Sequence, residues 1–157
     1  MPGAAPRRLA INRAVRPTCD AEGMEIRDLV RLFYDRLWNE VDLGLADELL
    51  HADVTFRGSV GVGANGCREV CDYVRMVTTA LSGYRCDIES LIVEGDRAAA
   101  KVRFSGVHTG EFLGYPPTGR HVEWIGTAFF AADANRLRDV WVLGDLESLR
   151  AQLRSSN

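Results

Sequence analysis

From Met24 onward, Ile26, Leu29, Val30, Phe33, Leu37 and Val41 recur at steps of three and four, which predicts an amphipathic helix with one face turned to a core. After Asn39 and Gly44, the segment Leu45 to His51 reads as a shorter second helix with Ala46, Leu49 and Leu50 on one face, and the two predict a helical hairpin. Asp53 to Arg57 alternates apolar and polar as a short strand does, and GSVGVGANG behind it reads as a loop. That loop lacks a GKS or GKT ending and the GxGxxG spacing, so it is not a phosphate cradle. A third helix is predicted from Cys67 to Leu81, with Val70, Tyr73, Val74, Val77, Ala80 and Leu81 on its apolar side and Gly83 near its end.

Four strand-like runs follow, Tyr84 to Glu94, Arg97 to His108, His121 to Ala132 and Leu137 to Gly144, joined by turns at Gly95-Asp96, Glu111 to Gly119 and Asp133 to Arg136. No helix separates them, so consecutive runs pair antiparallel. Leu146 to Leu153 reads as a terminal helix. The fold class is α+β: three N-terminal helices packed on one face of a curved, mostly antiparallel sheet.

Residues 1–23 depart from this pattern, with Pro2, Pro6, Pro17, four arginines and no apolar period, and read as a disordered leader to a single domain over 24–157. An alternative is that translation starts at Met24. Without the leader the body holds 15 basic and 20 acidic residues, a formal charge of −5. A whole-chain net charge of −3 and no clustered cations give no footprint for nucleic acid. No run approaches the roughly 20 apolar residues of a membrane-spanning helix. Of 19 basic residues only Lys101 is a lysine, and the excess of Arg with Ala, Gly and Val suggests a GC-rich bacterial genome.

Four cysteines, Cys19, Cys67, Cys71 and Cys86, are too few and too uneven for a disulfide framework, and no apolar secretory signal precedes them, which points to the cytoplasm. Cys67 and Cys71 are four apart on a helix, but His51, His108 and His121 hold no metal spacing with them, so no metal is expected.

Strand alternation places Val102, Phe104, Gly106 and His108 on one face, taken as inward, and Lys101, Arg103 and Ser105 on the other. It groups Val122, Trp124, Gly126, Ala128 and Phe130, and likewise Leu137, Asp139, Trp141, Leu143 and Asp145. Two tryptophans, an aspartate and a histidine are thus expected to face one interior. Asp145 has two readings, an N-cap for the terminal helix or a buried acid suited to proton transfer. His108 is by itself either a hydrogen-bonded structural residue or a catalyst, and Trp124 and Trp141 are core unless a cavity lies beside them.

The strings LVRLFYDRLWNEVDLGLADELLHADVTFRG, FSGVHTGEFLGYPPTGRHVEW and RDVWVLGDLESLRAQL, in this element order, resemble the SnoaL-like polyketide cyclases of the nuclear-transport-factor-like and ketosteroid-isomerase-like superfamily of cone-shaped α+β barrels. The resemblance covers about Met24 to Leu153. It implies a bacterial enzyme of antibiotic-type biosynthesis that closes a ring in an aromatic polyketide by intramolecular aldol condensation, without metal or organic cofactor, using one aspartate as general acid/base. That aspartate matches Asp145, in WVLGD, and the histidine of VHTGEFLG matches His108, which would polarise the substrate carbonyl or orient the acid. Trp124, Trp141, Phe56 and Phe104 would form walls against flat rings.

Where many relatives carry a histidine after the first strand, this chain has VTFRG, and Arg57 suggests an anionic substrate group or an ion pair. GEFLGYPPTG is expected to cover the cavity mouth. Related cones also isomerise, hydrolyse, take part in hydroxylation or bind small molecules without turnover, so those activities stand as alternatives. The outer sheet face, with Arg103, Ser105, Glu123, Ile125, Thr127 and Phe129, is the expected surface of a homodimer or homotetramer.

Overall fold

The structure, a computed structural model, describes residues 23–154. The expected leader therefore lies, except for Gly23, outside the described residues.

Helix α1 (Ile26–Leu32) starts after extended Glu25, whose carbonyl accepts the amides of Asp28 and Leu29. It runs straight into a π-helical turn, Phe33–Trp38, closed by the Asn39 amide on the Tyr34 carbonyl at 2.9 Å. The wider turn shifts the helical phase. Phe33, Tyr34, Leu37 and Trp38 are all buried, while Val41, expected inward, is 41% exposed and has φ +54°.

The second helix is shorter than expected: a 3₁₀ turn at Leu43–Leu45 and a four-residue α2 (Ala46–Leu49). Strand β1 (Leu50–Arg57) takes over His51, which had been read as helical. Within the glycine-rich segment a short β2 (Gly63–Asn65) pairs back on β1, and α3 (Gly66–Ala80) follows. Then come β3 (Leu81–Glu94), β4 (Arg97–His108), β5 (His121–Asp133), β6 (Arg136–Gly144) and α4 (Leu146–Arg154).

The six strands form one sheet in the order β2-β1-β6-β5-β4-β3, antiparallel throughout except for the parallel β1–β6 pair. The helices lie against its concave face, which is the expected α+β architecture. The predicted alternation holds for β4 and β5: Val102, Phe104 and His108 point inward, as do Val122, Trp124, Ala128 and Phe130. Gly126 lacks a side chain because the Phe104 ring fills that place; a Cβ there would lie 2.6 Å from Phe104 Cε2.

In β6 the alternation breaks. Ala132 pairs with Leu137 but Ala131 pairs with Asp139, so Arg138 is an extra residue and the strand's parity reverses behind it. Leu137 is buried, yet the next inward residues are Val140 and Val142, and Trp141 and Leu143 are 39% and 49% exposed. The expected common face of Leu137, Asp139, Trp141, Leu143 and Asp145 is corrected accordingly.

The sheet ends at β3, and Asn39 clamps that edge. Its Nδ2 donates to the Cys86 carbonyl at 3.0 Å, and the Cys86 amide donates to Oδ1 at 2.7 Å. These two bonds tie the end of the π-helical turn to the edge strand. Replacing Asn39 by Ala strands a partly buried amide and carbonyl, so urea unfolding should show a loss of about 1–3 kcal/mol. A change below about 0.5 kcal/mol, ordinary for a surface substitution, would show that the clamp contributes nothing to stability.

Candidate functional site

The concave face of the sheet and the helices enclose an aromatic interior. Phe33, Tyr34, Trp38, Phe56, Tyr73, Tyr84, Phe104 and Val142 line a cavity, with Gly58 and Ser59 at one side. Phe56 and Tyr73 have ring centroids 5.1 Å apart, Trp38 and Tyr84 5.5 Å, and Phe104 and Trp124 5.4 Å. The open space is only about 10 Å³, room for about one water. Ligand pockets for drug-sized molecules hold about 300–1,000 Å³, so the interior is closed in this form.

One segment packs over the buried sheet face beside Trp124. In the loop between β4 and β5, the Phe112 and Tyr115 amides each bond the other's carbonyl, at 3.0 and 2.9 Å. Between them, Leu113 (φ +52°) and Gly114 (φ +80°) both adopt left-handed backbone, a hairpin turn that suits glycine and strains leucine. The turn sends Phe112 inward, where it is 4% exposed and packs 6.3 Å from the Trp124 ring. Thus the GEFLGYPPTG segment packs its Phe112 over Trp124, while none of its residues lines the cavity itself.

Of the residues expected to form a site, Phe56 and Phe104 line this cavity, and Trp124 and His108 are buried on the same sheet face without lining it. Three do not share that face. Trp141 is turned outward by the Arg138 insertion and packs on Phe129 at 6.1 Å. Arg57 shares the outer face of β1, because Val54 and Phe56 take the inner one; it lies 5.2 Å over the Trp141 ring and donates to the Val142 carbonyl. Asp145 is exposed: its Oδ1 accepts the Ser148 amide at 3.1 Å, which makes it the N-cap of α4 rather than a buried acid.

Tyr34, Tyr73, Tyr84 and Trp38 line the cavity without having been marked in the sequence as site residues. Tyr73 stood on the predicted apolar side of α3. Tyr34, four residues after Val30, flanks the apolar face that the 3.6-residue period predicts, and the phase shift of the π-helical turn brings Trp38 onto it.

His108 is fully buried. Its Nδ1 lies 3.1 Å from Thr118 Oγ1 and accepts the Thr118 amide at 3.3 Å, while Nε2 has no partner. The Tyr34 hydroxyl and Trp124 Nε1 are likewise buried and unpartnered. The Tyr73 hydroxyl lies beside Ser59 and Val60 without a well-formed hydrogen bond. The only buried polar or charged side chains outside the apolar and aromatic core are Ser59 and His108, so among the described residues the interior holds no carboxylate. No group of three or more His, Cys, Asp or Glu is disposed to hold a metal among the described residues.

Burial dominates the acid–base chemistry here. Loss of water raises the Tyr73 hydroxyl to about 12 and drives Tyr34 and Tyr84 well above the usual phenol range. The Cys86 thiol is pushed up for the same reason, its sulfur meeting the Tyr84 hydroxyl. The interior thus keeps its groups neutral.

A model of the SnoaL-like polyketide cyclase family matches residues 28–153, and the chain belongs to that family. Among solved structures, TsrD from Streptomyces laurentii is 26% identical with a TM-score of 0.73, covering 83% of this chain and 96% of its own. IdmH from Streptomyces antibioticus is 21% identical with a TM-score of 0.71, covering 82% of this chain and 98% of its own. A SnoaL-like polyketide cyclase from Agrobacterium tumefaciens strain C58 is 19% identical with a TM-score of 0.70, covering 83% and 98%. The two likenesses at 21% and 19% identity concern the fold alone. No curated protein matches the chain significantly. No helix among the described residues is long and apolar enough to cross a membrane.

The raised phenols and thiol make stability fall in alkali. Unfolded, the thiol and phenols ionise near 9 and 10; folded, they stay neutral to higher pH, so the unfolded chain binds fewer protons in between. Their contribution is intact below about pH 9 and is lost as pH rises, the Tyr73 share between 10 and about 12. Urea unfolding followed from about pH 8 to 11 should show this decline, less steep at its upper end in Tyr73→Phe. A flat profile would mean that water reaches these groups.

Proposed function

We propose that the protein is a cofactor-independent cyclase that closes a ring in an aromatic polyketide-type keto ester by intramolecular aldol addition. Family membership supports the class. The observation that carries the chemistry is the fully buried His108, whose free Nε2 lies on the inward sheet face. A carbon flanked by two carbonyl-type groups loses its proton readily, and the aromatic system spreads the enolate charge. The enolate carbon then bonds to a ketone carbon of the same molecule, whose oxygen takes up a proton; one C–H is exchanged for one O–H and the product is an isomer.

His108 Nε2 donates to that ketone oxygen and stabilises the charge developing on it. Proton loss and return run through water, because Asp145 serves α4 from outside the interior. The rings of Phe56, Phe104 and Trp124 hold the substrate folded once Phe112 has moved aside. The closed interior also favours a second reading, a binding module without turnover.

Incubation with an anthraquinone-type keto ester in deuterated buffer, followed by mass spectrometry and NMR, separates the two. Wild type and Asp145→Asn should both form the ring-closed isomer, the latter because Asn also caps a helix. His108→Leu should lose about 10²–10³ in kcat, the usual cost of one oxyanion donor. Loss of turnover in Asp145→Asn with His108→Leu intact would invert the assignment; ligand-dependent tryptophan quenching without product would favour the binding module.

We further infer a homo-oligomer through the helix-free sheet face. Phe129, Trp141 and Leu143 are exposed there beside a ladder of both charges, in which Glu89 bonds Lys101 at 2.8 Å and Arg103 reaches both Glu89 and Glu123. Such a mixed-sign face suits a two-fold copy of itself. Light scattering should give at least a dimer for wild type and a smaller species for Ile125→Arg; a monomeric wild type would remove this surface.

A further inference from the structure

We propose that Thr118 is a positioning residue that fixes His108 as its Nε2–H tautomer, so that the imidazole offers the interior a hydrogen-bond donor and never a base. The inference rests on the reading of His108 as the group that meets substrate, and it narrows what that group can do.

Donor and acceptor directions around the ring set the tautomer. A backbone amide can only donate, and the Thr118 amide points at His108 Nδ1 from 3.3 Å. A proton on Nδ1 would face that amide hydrogen, so Nδ1 is the acceptor and the ring proton of the neutral histidine sits on Nε2. The Thr118 hydroxyl, 3.1 Å from Nδ1, acts in the same sense: its oxygen accepts the Arg120 amide at 3.4 Å, which leaves its own hydrogen for the ring. Three groups therefore line up in one direction, Arg120 amide to Thr118 hydroxyl to His108 Nδ1.

The frame around them is fixed by strand pairing. The His108 amide donates to the Arg120 carbonyl and the Gly119 amide to the His108 carbonyl, both at 2.8 Å, so Thr118 is held opposite the ring. At the other side of the imidazole, Nε2–H is buried and unpartnered, a donor without an acceptor in the free protein. The Trp124 Nε1–H is a second donor in the same state. A carbonyl oxygen is the ligand atom that such an arrangement takes, and a ligand cation or hydrogen-bond donor is what it rejects.

The test reads the tautomer directly and without substrate. In ¹⁵N-imidazole-labelled full-length protein, long-range ¹H–¹⁵N correlation spectra should show His108 as Nε2–H alone, its signal assigned by its loss in His108→Leu. Thr118→Val removes the hydroxyl and leaves the Thr118 amide on Nδ1, so the Nε2–H tautomer should persist with a shifted Nδ1 resonance while kcat on the keto ester falls about tenfold with KM little changed, and Thr118→Ser should restore both. Thr118→Ala takes the place of the Val variant if that one does not fold. His108→Gln, whose amide nitrogen reaches the Nε2 position, should keep more activity than His108→Asn, whose nitrogen falls near Nδ1.

An Nδ1–H tautomer in wild type, or an unchanged Nδ1 resonance in the Val variant or its Ala substitute, would overturn the inference. If the spectra are as expected but no ring closes, the proposed reaction fails while the assignment of Thr118 stands.

Discussion

One extra residue in a strand decides which chemistry reaches the interior. Arg138 is accommodated as a bulge in β6, and the strand's faces exchange behind it. Val140 and Val142 then pack inward, while Trp141 joins Phe129 and the Arg57 guanidinium outside. Had the strand run without the bulge, its tryptophan would face the interior. Instead the last strand contributes only aliphatic side chains to the concave face, and the polar groups there come from β3, β4, β5, the helices and the loop after β1.

What remains inside is a dry space with donors and no acid. Desolvation raises every resolved phenol and thiol in it, so a charge placed there has to be met by hydrogen bonds. Nε2 of His108, Nε1 of Trp124 and the Tyr34 hydroxyl are buried without partners, and each lost its water hydrogen bonds on folding. A molecule bearing carbonyl oxygens restores those bonds, and an enolate does so more strongly. The lack of partners for these buried donors constrains what can occupy the interior as much as the groups it holds.

Much of this was legible in the sequence. The alternation of β4 and β5 marked His108, Phe104 and Trp124 as inward, and the Pro-Gly pattern marked the covering loop; both are local signals that tertiary structure did not override. The misreadings share one cause, a break in period. The π-helical turn carries Trp38 inward by changing the helical phase, and the Arg138 bulge turns Trp141 outward by changing the strand phase. Neither insertion carries a residue signature, since Arg138 is neither glycine nor proline. The two readings of Asp145 could not be parted by spacing, because a helix cap and a buried acid both sit before an apolar run; only its exposure and its bond to the Ser148 amide part them. The parallel pairing of β1 with β6 was also invisible, as the intervening chain is long and no local rule links them.

Phe112 is held against Trp124 by apolar burial. Exposing a buried phenylalanine costs roughly 1.5–3 kcal/mol, so swinging Phe112 out would by itself be unfavourable. A flat ring that takes its place against Trp124 recovers that burial, and the exchange is of one aromatic surface for another. The turn that presents Phe112 also holds Leu113 at φ +52°, a conformation that costs about 1–3 kcal/mol in a non-glycine residue and lowers the barrier to leaving the closed form. A strongly charged ligand would not offset the loss of the Phe112 contact, because it recovers no apolar burial and adds a desolvation cost. Phe112 and the unpartnered donors on the same sheet face thus set two conditions together, apolar area to replace the ring and acceptors to meet the donors.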